Sequence, residues 1–272
     1  MLALDSPLWA ELSTAYGSAA EVPQQLASLI QEYNQEQADE LYELLLHQNT
    51  IYTATLAAVP YLLSIAHHSA EDLVITSIYT DGGMIAAEYE ADRNPLVEGH
   101  IDRSLYADIE RDYHQAIREI HRLDDKILSI VRERFMDQLD RQYMLAAFMA
   151  YHGYPAVSRL LFHHPDGEEY PAACPHCGKE WYIWPPTVSN QQTSWIVYPT
   201  DPVLIDDSKG NAIQPMMETT RLDTMLNELL NQAVRFELFE LKEVIAYLAG
   251  EVNCPHCQQK GSIWKGILAY CI

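Results

Sequence analysis

The sequence predicts a mainly α chain that carries a small β element. Three observations predict it. Apolar residues recur at helical spacing through most of residues 1–167. The tetrapeptide Cys-Pro-His-Cys occurs twice, at Cys174–Cys177 and at Cys254–Cys257. A short aromatic or β-branched run follows each copy, Trp181-Tyr182-Ile183-Trp184 after the first and Ile263-Trp264 after the second.

The helical elements come first. Pro23 opens a segment in which Val22, Leu26, Leu29, Ile30 and Tyr33 share a face. Leu41, Leu44, Leu45 and His47 continue the period in the next one. After a break at Gln48-Asn49, an apolar helix is expected from Ile51 to His67, with Leu56, Val59, Leu62, Leu63 and Ile65 on it. Pro60 lies inside that helix and predicts a kink or a changed hydrogen-bond pattern. A further helix is expected over 71–90, interrupted at Asp81-Gly82-Gly83 because paired glycines weaken a helix interior. Residues 91–100 read as a loop.

A long amphipathic helix follows. Ile101, Leu105, Ile109, Tyr113, Ile117, Ile120, Ile127 and Val131 carry its apolar stripe. Its other face alternates charge at Asp108, Arg111, Asp112, Arg118, Glu119, Arg122 and Asp125, which reads as a solvated face. Two shorter helices are expected near 137–151 and 154–163, separated by His152-Gly153.

The character changes at Pro165. Residues 168–200 read as brief strands and loops, and the helical period returns from Thr219 to Gly250 in two segments split near Gln232. The predicted organisation is a helical domain over 1–167, then a region over 168–272. In that region two β pieces, 168–187 and 251–267, enclose a loop and a helical pair.

The repeated tetrapeptide explains those two pieces. Cys174, Cys177, Cys254 and Cys257 supply four thiolates, which is what one tetrahedral Zn2+ ion needs. A zinc ribbon presents two Cys pairs from two hairpins, and here 76 residues separate Cys177 from Cys254. The ribbon is therefore split, and its zinc is expected to be structural. An ion closing so long a loop stabilises the folded chain. The competing reading is enzymatic. Cys-Pro-His-Cys also serves thiol–disulfide oxidoreductases, where a lowered thiolate pKa drives exchange, and a zinc with an open position would serve a hydrolase. Those oxidoreductases place one such motif at a helix N-terminus, whereas two copies stand here and neither is obviously followed by a helix. His176 and His256 read as neighbours of the ligands, and Cys271 is left over.

Charge and targeting narrow the classes further. The formal net charge is −22. Residues 1–100 hold fifteen Asp or Glu against the single base Arg93, so −14 of it falls there. That field opposes nucleic acid and anionic lipid and attracts basic proteins. Lys179, Lys260 and Lys265 are the only local bases favouring a nucleic-acid ribbon. No apolar run is long enough to span a bilayer, which takes about 20 residues. Residues Met1 to Pro7 do not read as a secretory signal, so a cytoplasmic address is expected.

No catalytic constellation stands out. The H-E-x-x-H, G-x-S-x-G, P-loop and G-x-G-x-x-G patterns are absent from the sequence. The pairs His67-His68 and His163-His164 sit at the ends of apolar helices and read as caps. Seven tyrosines, Tyr16, Tyr33, Tyr42, Tyr52, Tyr61, Tyr79 and Tyr89, accompany the acids of the first hundred residues, a composition suited to protein recognition.

Residues 41–65 also carry a resemblance. Leu41 to Thr55, with His47-Gln48 and Tyr52-Thr53-Ala54-Thr55, runs on into Ala57-Ala58-Val59-Pro60-Tyr61-Leu62-Leu63. This pattern resembles bacterial HEAT-like helical-repeat proteins of the immunity-protein type. The resemblance implies an α-solenoid of stacked helix pairs and a scaffold that neutralises a cognate toxin domain by occlusion. It names no catalytic group and no contact residue. The function expected is thus that of a protein-binding module for a basic partner, and not of an enzyme.

Overall fold

The computed structural model describes residues 1–89, 102–134, 136–164, 169–186, 194–204, 209–218 and 221–271. The loop read at 91–100 and the boundary at Pro165 lie outside the described residues. The chain is mainly helical with small antiparallel sheets. It divides into two compact units, Met1–Met136 with Ala146–Arg159, and Asp137–Leu145 with Leu160–Ile272.

In the first unit, β1 (Ser13–Thr14) pairs with β2 (Gly17–Ser18), and helices α1 (Val22–Gln31) and α2 (Gln35–Leu45) follow. Asn34 caps α2 by accepting from the Gln37 N–H at 3.0 Å. Val22, Leu26 and Leu29 of α1 and Leu41 and Leu45 of α2 are buried as their period requires, while Ile30 is half exposed. A tight hairpin of β3 (Leu46–His47) and β4 (Thr50–Ile51) comes next. Gln48 and Asn49 at its tip have φ of 49° and 60°, the backbone twist that a two-residue hairpin turn needs. Ile51 is therefore a strand residue, and α3 (Thr53–His68) starts after it.

Helix α3 is the centre of this unit. Every residue from Thr53 to Pro60 is buried, and α1, α4 (Asp72–Glu88) and α5 (Arg103–Ile120) pack on it. A helix apolar on all sides has to be central. At its end the Ser64 carbonyl lies 2.8 Å from His68 Nδ1, which suits a capping role. Burial and the nearby Arg122 lower the pKa of His67, so a charged imidazolium is disfavoured there.

Two expectations for this unit fail for identifiable reasons. Helix α4 is continuous through Gly82 and Gly83. A Cβ on Gly83 would lie 2.2 Å from the Ala147 Cβ, so the glycine serves close helix approach and not interruption. Tyr151 seals the same contact by donating to the Tyr79 carbonyl at 2.9 Å. The long helix expected to run through Val131 is broken. α5 ends at Ile120, a 3-10 turn covers His121–Leu123, and α6 (Asp124–Glu133) begins anew. Ile120, Leu123 and Ile127 are all buried, so the apolar period passes through the break unaltered. A tightened turn keeps three-residue spacing and is invisible to the pattern. Helices α7 (Gln138–Tyr151) and α8 (Pro155–His163) flank Gly153, whose φ is 83°. The two units divide α7 after Leu145 and α8 after Arg159.

The second unit contains a four-stranded antiparallel sheet in the order β5 (Tyr170–Ala173), β6 (Glu180–Trp184), β7 (Ile196–Tyr198) and β8 (Asn211–Ala212). A separate hairpin is formed by β9 (Glu251–Asn253) and β10 (Lys260–Ser262). Between them lie α9 (Thr224–Arg235) and α10 (Leu241–Leu248), and α11 (Ile263–Cys271) closes the unit against β5. The helical pair is split at Phe236–Glu240 and not at Gln232, because the buried Phe236 is still tied to the Gln232 carbonyl at 3.0 Å. Ile263 and Trp264 do not repeat the strand role of Ile183 and Trp184. They open α11, and both are buried.

Candidate metal centre

Each Cys-Pro-His-Cys is the tip of a hairpin. The first joins β5 to β6, and the second joins β9 to β10. The two tips share one backbone plan. Cys174 N–H donates to the Lys179 carbonyl at 2.8 Å, and Gly178 N–H donates to the Cys174 carbonyl at 2.9 Å. Cys254 and Gln258 repeat both bonds with the Gln259 and Cys254 carbonyls at the same distances. Gly178 and Gln258 occupy equivalent left-handed positions, with φ of 69° and 63°.

The folding of the chain brings the four sequence-predicted ligands together. The sulfurs of Cys174, Cys177, Cys254 and Cys257 all lie within 4.8 Å of one another. Cys174 Sγ is 3.9 Å from Cys257 Sγ, and Cys177 Sγ is 3.9 Å from Cys254 Sγ. A disulfide needs about 2.05 Å, so none of these pairs is bonded. A tetrahedral thiolate site with metal–sulfur distances of about 2.3 Å has edges of roughly 3.8 Å. The observed spacing fits that tetrahedron, so the four thiols can hold one metal ion.

Backbone and indole N–H groups are aimed at the sulfurs. His176 N–H points at Cys174 Sγ at 3.4 Å. His256 and Cys257 N–H groups point at Cys254 Sγ at 3.3 and 3.4 Å, and the Trp181 indole adds a third donor at 3.4 Å. Burial opposes the Cys254 thiolate, but these donors outweigh it and bring the thiol down to about 6. At Cys174 burial prevails over the two backbone donors and pushes the thiol up to about 12. A cation among the sulfurs would favour their thiolate forms.

The motif histidines latch the hairpins to each other. His176 Nε2 donates to the Lys260 carbonyl at 2.9 Å, and His256 Nε2 donates to the Glu180 carbonyl at 3.2 Å. Lys260 and Glu180 occupy the same place after their respective tetrapeptides, so the two hairpins are related by an approximate two-fold.

Trp181 was not legible as part of the site. It is buried, and a Cβ on Gly261 or Gly266 would come within 2.9 or 3.1 Å of its ring. The two glycines make room for the indole that reaches Cys254. The signal was present as Gly261 and Gly266 opposite an aromatic run, but nothing in the sequence pairs them. The side chain of Cys271 lies outside the described residues.

No family model, no characterised protein and no solved structure matches this chain. Among the described residues no helix is long and apolar enough to cross a membrane.

Proposed function

We propose that this chain is a protein-binding module, an α-helical HEAT-like scaffold stapled by one structural zinc ion. On this reading it acts by occluding a basic partner, as an immunity protein covers a toxin domain. The carrying observation is a row of carboxylates on α2. Glu36, Asp39, Glu40 and Glu43 are all exposed and share one helical face, while Ala38, Leu41 and Leu45 are buried on the other. Glu36–Glu40 and Asp39–Glu43 are like-charge pairs at i,i+4, each costing about 0.2–0.5 kcal/mol of helix stability. No Lys or Arg precedes Arg93, so the row lacks basic neighbours along its own stretch of chain. Within the fold the row gains Gln35 on Asp39 at 2.8 Å and His47 beside Glu43 at 3.4 Å, but among the described residues no Lys or Arg, which a basic partner would supply.

Tyr16 is exposed and rests against His47 with ring centroids 5.5 Å apart, which adds an aromatic edge beside the end of α2. Tyr79 is fully buried and belongs to the core. The zinc assignment is supported by the all-sulfur donor set and its tetrahedral edges. Both tetrapeptides lead into strands, unlike thiol oxidants that need a helix N-terminus. With four sulfurs converging, no ligand position is left for a hydrolytic water.

Affinity capture from extracts of the source organism tests the reading. The wild-type chain is expected to retain a basic protein that a variant with Glu36, Asp39, Glu40 and Glu43 replaced by Lys does not. Equal retention by both chains, or no retained protein, contradicts it.

A further inference from the structure

A second ligand cluster lies in the first unit, built by the helix break that the sequence pattern conceals. The 3-10 turn His121–Leu123 places His121 beside Asp124, the first residue of α6, and the end of α7 brings in His152. His121 Nδ1 is 3.2 Å from His152 Nε2. His152 Nε2 is 2.9 Å from Asp124 Oδ2, and His121 Nδ1 is 3.5 Å from that same oxygen.

These three distances describe a nearly equilateral triangle of ligand atoms. A tetrahedral ion bound at about 2.0–2.1 Å by imidazole nitrogen and carboxylate oxygen has edges of roughly 3.3 Å. The triangle has the size of one such face. We propose that His121, Asp124 and His152 form a binding site for a divalent transition-metal ion of the zinc, cobalt or nickel class, separate from the cysteine cluster.

The surroundings support it. Asp124 keeps its other oxygen, Oδ1, on the Tyr79 hydroxyl at 3.4 Å, so the carboxylate is steered by a fully buried residue. Phe148 stacks on the His152 ring with centroids 3.9 Å apart and fixes its plane. Such outer contacts orient ligands and sharpen affinity. Two imidazoles and one carboxylate suit borderline transition ions rather than calcium or magnesium. The side chains of His121 and His152 remain 37% and 31% exposed, so an ion can enter from solvent, and three protein ligands leave a position for water. Without an ion, His152 Nε2–H can donate to Asp124 Oδ2 at 2.9 Å with an unprotonated His121 Nδ1 3.2 Å away. An ion would give all three atoms one shared centre and tie the α5–α6 break to the end of α7.

Cobalt titration of the full-length chain tests the site, after its cysteine cluster has been loaded with one equivalent of zinc. The zinc-loaded wild type is expected to take up one further Co2+. Its visible spectrum should show nitrogen–oxygen ligation without thiolate-to-cobalt charge transfer. His121→Ala and His152→Ala should each abolish that uptake, and Tyr79→Phe should weaken it about tenfold. Failure of the zinc-loaded wild type to bind further Co2+ overturns the site whatever the variants do. Undiminished uptake by the His121→Ala/His152→Ala chain overturns it too.

Discussion

His176 and the carbonyl of Lys260 are joined at 2.9 Å across 84 residues of sequence, and His256 makes the mirror contact to Glu180. A carbonyl only accepts, so both imidazoles carry their proton on Nε2. The histidines thus hold one hairpin against the other and stand outside the group of four sulfurs. Replacing either by Ala is expected to cost about 1 kcal/mol, the net worth of one such bond. Chemical denaturation of the zinc-loaded chain measures the cost, and metal stoichiometry should stay unchanged. Loss of the ion from either variant would make the histidine a ligand instead of a latch.

Trp181 is a more demanding test of the site, because its indole brings a side-chain N–H to Cys254 Sγ at 3.4 Å. Trp181→Phe keeps a ring between Gly261 and Gly266 but removes the N–H. Zinc affinity, read by competition with a chromophoric chelator, should fall about tenfold. An unchanged affinity would reduce Trp181 to packing.

Helix contact in the first unit rests on Gly83. An added Cβ would meet the Ala147 Cβ at 2.2 Å, so Gly83→Ala should destabilise the chain by about 1–3 kcal/mol. The double variant Gly83→Ala/Ala147→Gly should recover part of the loss. Denaturant midpoints of the three chains decide it, and a neutral Gly83→Ala would mean the helices move apart freely.

Asp81 makes stability depend on pH. Burial, and then the charge of Asp39, raise its carboxyl to about 7, against a weaker opposing bond from Ser77. Its unfolded value is about 3.9. Between those limits the folded chain binds more protons than the unfolded one, so this group's contribution falls as pH rises from about 4 to about 7. Stability should accordingly decline across that window, and Asp81→Asn should flatten the decline. At a pH of about 8 the Asn variant should be the more stable by at least about 1 kcal/mol. Parallel curves for the two chains would contradict the assignment.

The cluster of four cysteines was legible because Cys-x-x-Cys states its chemistry locally. The helices of residues 22–88 were legible from apolar spacing, since burial follows that spacing at Leu26, Leu41 and Leu62. What stayed hidden depends on tertiary partners. Gly82-Gly83 reads as a helix breaker until Ala147 is seen against it. The break at His121–Leu123 leaves the apolar period intact, so nothing in the pattern marks His121 and Asp124 as standing at a junction. Ile263-Trp264 has strand composition, yet both residues are buried at the start of a helix. Tertiary packing overrides local propensity at that point.

X-ray absorption at the zinc edge, on the full chain loaded with one equivalent of zinc, gives the most direct test of the stapled architecture. Four sulfur neighbours at about 2.3 Å are expected, with the signal lost from a Cys174→Ser/Cys254→Ser chain. A first shell of nitrogen and oxygen, or sulfurs found paired in disulfides with no zinc retained, would contradict it.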